Sequence, residues 1–291
     1  MKYEFIDANR TEHRVSKMCK VLSVSVSGYF AWKRRVPKAR EQEELKIIRI
    51  MMDIHEKNHM TYGGVKMQRA LGGKGFHIGL GRVFRMMRQN GIYTVHRYKH
   101  RPKTKEQTES IYQDNVLNRE FKVDEPNKVW VRDITYIKAR EGWVYLAVVL
   151  DLFNKEVVGW SMARNADTEL VTRAMAHALV RRNFPERVLF HSDRGCQYSS
   201  KRYQKYLTEN QIESSMSRKG NPFDNACCES FFATLKKEWV YFKRYADLRG
   251  AESSIFEYIE IFYNRKRMHS SLGYLSPKQF LTNYLQEIMA A

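Results

Sequence analysis

Three acidic residues in the second half of the chain have the spacing and surroundings that suit metal-dependent chemistry. Asp133 lies in an apolar run with strand-like alternation, and Asp193 ends a second short apolar run. Glu229 lies in a segment that we predict to be a helix, and 35 residues separate it from Asp193. Hard divalent cations prefer oxygen ligands, and phosphoryl transfer uses one cation at the nucleophile and another at the leaving oxygen. Together, the three carboxylates predict a two-metal site.

Other acidic residues compete for the same roles. Asp151, on the second predicted strand, is an alternative to Asp133, and Asp224 and Glu238 are alternatives to Glu229. The flanking residues favour Asp133 and Glu229. Lys236 follows Glu229 by seven residues, so it lies two turns along the same helix face, where an ammonium group suits a DNA phosphate. A plain surface lysine is the alternative interpretation.

The carboxylates need a sheet and a helix to position them, and the chain from residue 124 has the pattern of both. Strands are predicted at 128–137, 143–152 and 155–162, then a helix from Asp167, a strand at 188–191, another helix, a strand at 212–217 and a helix at 227–239. This is the ribonuclease-H-like order, which brings the first strand beside the end of the fourth. Asp133 and Asp193 can therefore meet.

The first 95 residues have helical periodicity and glycine-rich turns. Residues 10–35 are predicted to form a helix, a turn and a second helix opening at Tyr29, and residues 61–92 a second module of this kind. Arg82, Arg85 and Arg88 recur every three residues on a short helix after a glycine turn, as major-groove docking requires. An ordinary amphipathic helix with a solvated cationic face explains the spacing equally well.

A basic linker follows the second module. We predict that it lies along DNA phosphates, although a plain solvated linker is the alternative. Its candidate DNA-binding residues are Arg97, Lys99, Arg101 and Lys103.

The predicted fold class is α/β: a ribonuclease-H-like catalytic core (a mixed five-stranded sheet with helices) preceded by an all-α helix-turn-helix-like region. The predicted domains are a helical segment at 1–40, a second helical module at 41–95, the linker at 96–123, the core at 124–245, and a C-terminal helix and tail at 246–291.

Composition favours a polyanionic partner. The 291 residues carry a net charge of +19, with a pI near 9.7, and 43% are apolar, which is enough for real cores. Four cysteines show neither metal-type nor disulfide-framework spacing, and nothing near His55 and His59 completes a zinc module. No apolar run approaches the roughly 18 residues of a membrane helix, so we expect no membrane association and a cytoplasmic location, on the bacterial nucleoid.

Several segments together resemble one family. They are WVRDITY at 130–136, HSDRGCQY at 191–198, GNPFDNA at 220–226, ESFF at 229–232 and YNRKRMHSSLGYLSP at 263–277, and Tyr62-Gly63-Gly64 resembles the family's upstream helical module. The family is the D,D(35)E transposases of two-frame insertion sequences, and the match is to the downstream frame, OrfB, with its integrase catalytic core. The resemblance covers nearly the whole chain.

The resemblance implies a polynucleotidyl transferase that uses Mg²⁺ or Mn²⁺. Asp133 and Asp193 would bridge metals and Glu229 would complete the second site. Cleavage at an element end would be followed by attack of the freed 3′-hydroxyl, commonly joining one end to the other on the same strand on the way to a circular intermediate. His191 and Arg194 would orient ligands or phosphate. Lys236, Arg265 and His269 would hold the DNA end, although for Arg265 and His269 packing of the last helix is an equal alternative.

The same resemblance implies partners. They are double-stranded DNA (element terminal repeats and target), a homodimer or higher assembly on that DNA, and the upstream-frame OrfA protein or an OrfAB fusion. Two other functions remain open from the residues: a ribonuclease-H-like DNA nuclease without strand joining, and a non-catalytic DNA-binding regulator.

Overall fold

The computed structural model describes residues 2–35, 39–95, 123–192, 201–210, 212–216 and 226–290. The chain forms two compact units, which divide between Asp53 and Ile54. Several predicted site residues lie outside the described residues: Arg97, Lys99, Arg101, Lys103, Asp193, Arg194 and Asp224.

The first unit is helical. It contains α1 (Lys2–Ala8), α2 (Val15–Val21) and α3 (Val26–Arg34), whose small core includes Ile6, Met18, Cys19 and Tyr29. The helix predicted to open at Tyr29 begins three residues earlier. Ser25 is the reason, because its hydroxyl accepts a hydrogen bond from the Gly28 amide at 2.9 Å and so caps the helix there. A long helix, α4 (Ala39–Lys57), follows.

The second unit opens with the predicted helical module, α5 (Gly64–Gly72) and α6 (Leu80–Gln89). Gly64 allows the two helices to approach, because a Cβ atom at this position would lie 2.4 Å from the Phe84 ring. Gly75 has a φ of +85° in the turn between the helices, a conformation that favours glycine. The predicted turn and both helices are therefore confirmed.

A five-stranded mixed sheet forms the centre of this unit. Its strands are β1 (Val129–Ala139), β2 (Gly142–Asp151), β3 (Val157–Ala163), β4 (Leu189–Ser192) and β5 (Glu213–Met216), in the spatial order β3-β2-β1-β4-β5. The first three strands are antiparallel neighbours, whereas β1 pairs with β4, and β4 with β5, in parallel. This is the predicted ribonuclease-H-like topology.

Helices cover both faces of the sheet. One face packs against α7 (Thr168–Arg181) and α8 (Lys201–Glu209). Gly159 on β3 lets α7 lie close, since a Cβ there would be 2.2 Å from the Ala174 carbonyl oxygen. The other face packs against α9 (Ala226–Glu238) and α10 (Leu248–Phe256). Side chains alternate along β1, so Trp130 faces α7 and Val131 faces α9.

The C-terminal part is more than one helix and a tail. After α10 comes a segment with π-helical hydrogen bonding, Glu257–Tyr263, then a short 3₁₀ turn, Ser270–Leu272, and α11 (Pro277–Ala290). Tyr258, Phe262 and Tyr263 are buried against the α9 side of the sheet. Among the described residues, no helix has both the length and the apolar character needed to cross a bilayer.

Candidate active site

Asp133 lies near the middle of β1. It is half-buried, and it is two residues along from Val131, so alternation places it on the face that packs against α9. One carboxylate oxygen accepts a hydrogen bond from the Ile134 amide at 2.7 Å. The strand therefore presents a carboxylate to the same side of the sheet as the predicted glutamate helix.

The parallel strand β4 runs beside the beginning of β1. Val131 is the register partner of His191, which is fully buried. The description of this strand ends at Ser192, one residue before Asp193. The pairing of the two strands agrees with the prediction, whereas Asp193 and Arg194 are outside the described residues.

Glu229 lies in the first turn of α9. The helix packs on the sheet through Cys228, Phe231, Phe232 and Leu235, and Glu229 is exposed. The positive end of the helix dipole favours a carboxylate in this turn. Lys236 is two turns further along, and its Nζ atom lies 4.6 Å from the centre of the Tyr136 ring. The helix thus places an acidic and a basic group on one side, as its sequence predicts.

No group of three histidine, cysteine, aspartate or glutamate side chains within the described parts of the chain converges to hold a metal ion. The predicted triad includes Asp193, which falls outside those parts. Asp133, Asp193 and Glu229 therefore remain a prediction as a set.

Asp151, the alternative acid on β2, has a structural role, because its contacts stabilise a turn. It is fully buried, and its carboxylate accepts hydrogen bonds from the amides of Asn127 and Phe153, each at 3.0 Å. Arg182 lies 3.6 Å from the same carboxylate. Burial raises the pKa of Asp151, and Arg182 opposes this rise. A carboxylate enclosed in this way is poorly placed to bind a substrate.

Glu238, the alternative acid on α9, is also engaged. Its two carboxylate oxygens accept hydrogen bonds from the Arg267 guanidinium at 2.7 and 2.8 Å, and Tyr258 donates a third at 3.1 Å. Glu238 is 7% exposed. A bidentate, buried pair of this kind joins the end of α9 to the C-terminal segment.

The predicted DNA-binding residues differ in exposure. Arg85 and Arg88 on α6 are exposed, whereas Arg82 is half-buried. Residues three apart on a helix are offset by 60° after each step, so the three arginines do not share one exposed line. Arg265 is exposed, and Lys236 and His269 are partly buried.

His269 is packed within the C-terminal segment. Its ring meets the Tyr263 ring edge-on at 4.8 Å, and its backbone amide donates to the Leu275 carbonyl at 3.0 Å. Burial, followed by the positive charges of Arg267, Lys66 and Lys155, lowers the pKa of His269 to about 2. The imidazole is therefore neutral at physiological pH, and any contact it made with a phosphate would lack an ionic attraction.

The sequence did not predict the contacts that join the helical module to the C-terminal segment. The Tyr62 hydroxyl donates to the Lys266 carbonyl at 3.1 Å and accepts from the Met268 amide at 3.2 Å. Arg69 lies over the Tyr274 ring at 5.1 Å. Tyr62, Lys266, Met268 and Tyr274 fall in segments that carry the family resemblance, and this resemblance is the one signal that could have suggested a contact.

Comparisons with known proteins give matches along most of the chain. A family model described as an HTH-like domain matches residues 40–100, and two described as an integrase core domain match residues 123–222 and 210–277. The transposase InsF of insertion sequence IS3A, from Escherichia coli strain K12, is 36% identical over 282 residues, covering 96% of this chain and 98% of the relative. A 31 kDa protein of insertion element IS600 from Shigella sonnei is 38% identical over 269 residues, covering 92% and 99%.

Among solved structures, the HTLV-2 integrase catalytic core domain in complex with magnesium aligns at 16% identity with a TM-score of 0.42. The alignment covers 53% of this chain and 96% of that one.

Proposed function

Because this chain belongs to the IS3-type transposases and carries an integrase core, we propose that it cuts DNA at the ends of an insertion element and joins those ends by strand transfer, with Asp133, Asp193 and Glu229 as its catalytic carboxylates. DNA transposition is the function of the chain. Our proposal concerns three further points: which residues carry out the chemistry, which metal they bind, and which partners the chain has.

The observation that carries the residue assignment is the placement of Asp133 on the sheet face that packs against α9, whose first turn exposes Glu229. The register of β1 and β4 supports the assignment of Asp193 as the third carboxylate. Val131 pairs with His191, and parallel strands advance by equal steps. If this register continued for two residues, Asp193 would be set beside Asp133.

The donor set fits divalent cations such as Mg²⁺ or Mn²⁺. Asp133 and Glu229 offer oxygen ligands, which these hard cations prefer, and the competing acids Asp151 and Glu238 already have cationic partners. When bound, the cations would activate the attacking hydroxyl and stabilise the leaving 3′-oxygen.

The protein's own part in the reaction is to position the DNA. Lys236 lies on the Glu229 side of α9, where its ammonium group can hold a phosphate of the element end. Arg194 and Arg265 would act on neighbouring phosphates. Arg85 and Arg88, exposed on α6, would contact DNA further from the reacting bond. We propose double-stranded element ends and target DNA as substrates, a homodimer or higher assembly on them, and the upstream-frame OrfA protein or OrfAB fusion as partner.

Strand transfer with labelled element-end DNA in Mg²⁺ tests this function. We expect joined product from the wild type and from Glu252→Gln, a control that removes an exposed acid on α10 of the same core. Glu229→Gln should bind the DNA normally and lose joining on the order of 10³-fold, because removing one member of a catalytic set disables the whole set.

Other outcomes separate the alternatives. Hydrolysis without joining by the wild type would favour the nuclease function over strand transfer. Joining by Glu229→Gln at the wild-type rate would refute the assignment of Glu229. If the wild type binds DNA without reacting, the same assay with the OrfAB fusion decides whether the upstream frame is required.

A further inference from the structure

Two aromatic side chains at the far end of the β1–β2 pair are exposed next to each other. Tyr136 is 55% exposed and Trp143 is 52% exposed, and their rings meet edge to face with centres 5.1 Å apart. Trp143 is the register partner of Lys138, so Tyr136 and Trp143 are diagonal neighbours on one face of the sheet. Half of the surface of two large rings is thus left to solvent.

This aromatic pair lies close to the proposed active site, as distances along β1 and along α9 show. Tyr136 follows Asp133 by three residues on β1, which is about 10 Å along the strand. Lys236, whose Nζ atom lies 4.6 Å from the Tyr136 ring centre, follows Glu229 by seven residues, again about 10 Å. Each distance equals about three nucleotides of a DNA strand, at roughly 3.4 Å per nucleotide.

The aromatic pair and Asp133 point to opposite faces of the sheet, because three residues separate Tyr136 from Asp133. Among the described residues, β4 pairs with β1 at 129–131, and Tyr136 lies five residues beyond the last of these pairs. The contact between Lys236 and Tyr136 shows that α9 reaches this part of the strand. A nucleotide whose phosphate is bound by Lys236 would therefore lie within reach of the Tyr136 ring.

The chemistry of the patch matches an unpaired nucleotide. Exposed aromatic rings bind nucleobases by stacking, and neighbouring cations bind the phosphates, a combination typical of single-strand-binding surfaces. Lys138, which is exposed beside Trp143, and Lys236 supply the cations. Tyr–Trp packing across the hairpin explains the contact between the rings, but it does not account for the lysine from α9 or for the ring surface that remains exposed.

We propose that Tyr136, Trp143 and Lys236 form a stacking site for an unpaired base of the element-end DNA, one or a few nucleotides from the reacting phosphate. The site holds the end open after its strands separate. This inference rests on the proposed function, because it takes the DNA end as the ligand.

Fluorescence of 2-aminopurine tests the site without requiring chemistry. Element-end duplexes would carry the fluorescent base at each of the terminal positions in turn, bound to the full-length Glu229→Gln protein. At one position we expect several-fold less fluorescence than in the complex with Trp143→Thr, because stacking on an aromatic ring quenches an unpaired 2-aminopurine. In the same background, Trp143→Thr, which introduces a β-branched residue that also favours a strand, should abolish the quenching. Trp143→Phe should retain most of it.

A matched control removes an exposed ring elsewhere in the core. Phe184 is 60% exposed and has a φ of +50°, so Phe184→Asn suits its backbone and should leave quenching unchanged. Removing the base at the quenched position should weaken binding roughly tenfold with Trp143 present and have little effect in Trp143→Thr.

Quenching that is equal with and without Trp143, or an abasic defect undiminished in Trp143→Thr, would overturn the stacking site. If the wild type joins DNA while either result holds, the proposed function stands and only this inference fails. Trp143-dependent quenching by a protein that joins no DNA, either alone or as the OrfAB fusion, would support the site and count against strand transfer. Failure to bind element-end DNA at all would overturn both.

Discussion

The two ends of α9 carry the same residue type in opposite environments. Glu229 in the first turn is exposed, whereas Glu238 in the last turn is 7% exposed and is held by Arg267 and Tyr258. Nine residues are two and a half turns, so the two side chains leave the helix on opposite sides. One carboxylate is available to a ligand, and the other is already paired inside the protein.

The difference shows that residue type and helix position are not enough to identify a catalytic acid. Lys236 lies almost two full turns from Glu229 and therefore shares its side of the helix. Glu238 lies on the other side, where Arg267 matches its charge. The first end leaves Glu229 exposed, as the proposed metal site requires, while at the second end the pair of Glu238 and Arg267 joins the C-terminal segment to the core.

The largest effect on stability is expected at the buried end. Glu238→Gln leaves the Arg267 guanidinium buried without a counter-charge, so the free energy of unfolding should fall by about 3 kcal/mol. Urea unfolding would measure this change. The double variant Glu238→Gln/Arg267→Met should be more stable than Glu238→Gln alone, because it also removes the unpaired charge. A single variant as stable as the wild type would show that the pair has no role in stability.

A smaller effect is expected from His269, which packs beside Arg267. The folded protein lowers the pKa of His269 to about 2, while the unfolded chain protonates near 6.5. The unfolded state therefore binds more protons below pH 6.5, and this residue should reduce the free energy of unfolding by about 1 kcal/mol as pH falls from about 7.5 to 5.5. Urea unfolding at both pH values should show that the free energy of unfolding falls less in His269→Phe than in the wild type.

The control for this pH effect is His77→Gln, which removes an exposed histidine of the helical module. It should keep the wild-type dependence on pH. If His269→Phe and the wild type lost the same free energy over this range, protonation of His269 would not be linked to unfolding.

The smallest effect on stability is expected at the exposed end. Glu229→Gln removes an exposed carboxylate that interacts favourably with the helix dipole, so the free energy of unfolding should change by less than about 1 kcal/mol. Urea unfolding of the purified variant checks this. If Glu229→Gln lowered the free energy of unfolding as much as Glu238→Gln, Glu229 would have a structural role. The two ends of α9 would then not differ in function.

Much of the fold was predictable because its signals are local. Apolar alternation around Asp133, short apolar runs and turn residues indicated the strands, and the ribonuclease-H-like order followed from the sequence of strands and helices. The glycines of the second helical module marked its turn. The cap on α3 was missed by three residues, because Ser23, Ser25 and Ser27 are equally good capping residues by type and only the packed helix selects Ser25.

The candidate site was predictable to a lesser degree. The sequence alone determined the spacing of the acids, the shared side of Glu229 and Lys236, and which residues of β1 share a face with Asp133, since each depends only on sequence position and the period of a strand or helix. It left open whether Asp151 or Glu238 could replace Asp133 or Glu229. Only the tertiary structure decided that these two acids face Arg182 and Arg267.

Tertiary structure alone also brought Tyr62 to the backbone of Lys266 and Met268, and Lys236 to the ring of Tyr136. The physical reason is the same in each case. Pairing between residues far apart in the chain depends on how whole elements pack, and no local periodicity records which cation or hydroxyl will meet which partner. The sequence determined which groups each element carries, and the packing of the elements determined which of those groups are buried against a partner and which are exposed.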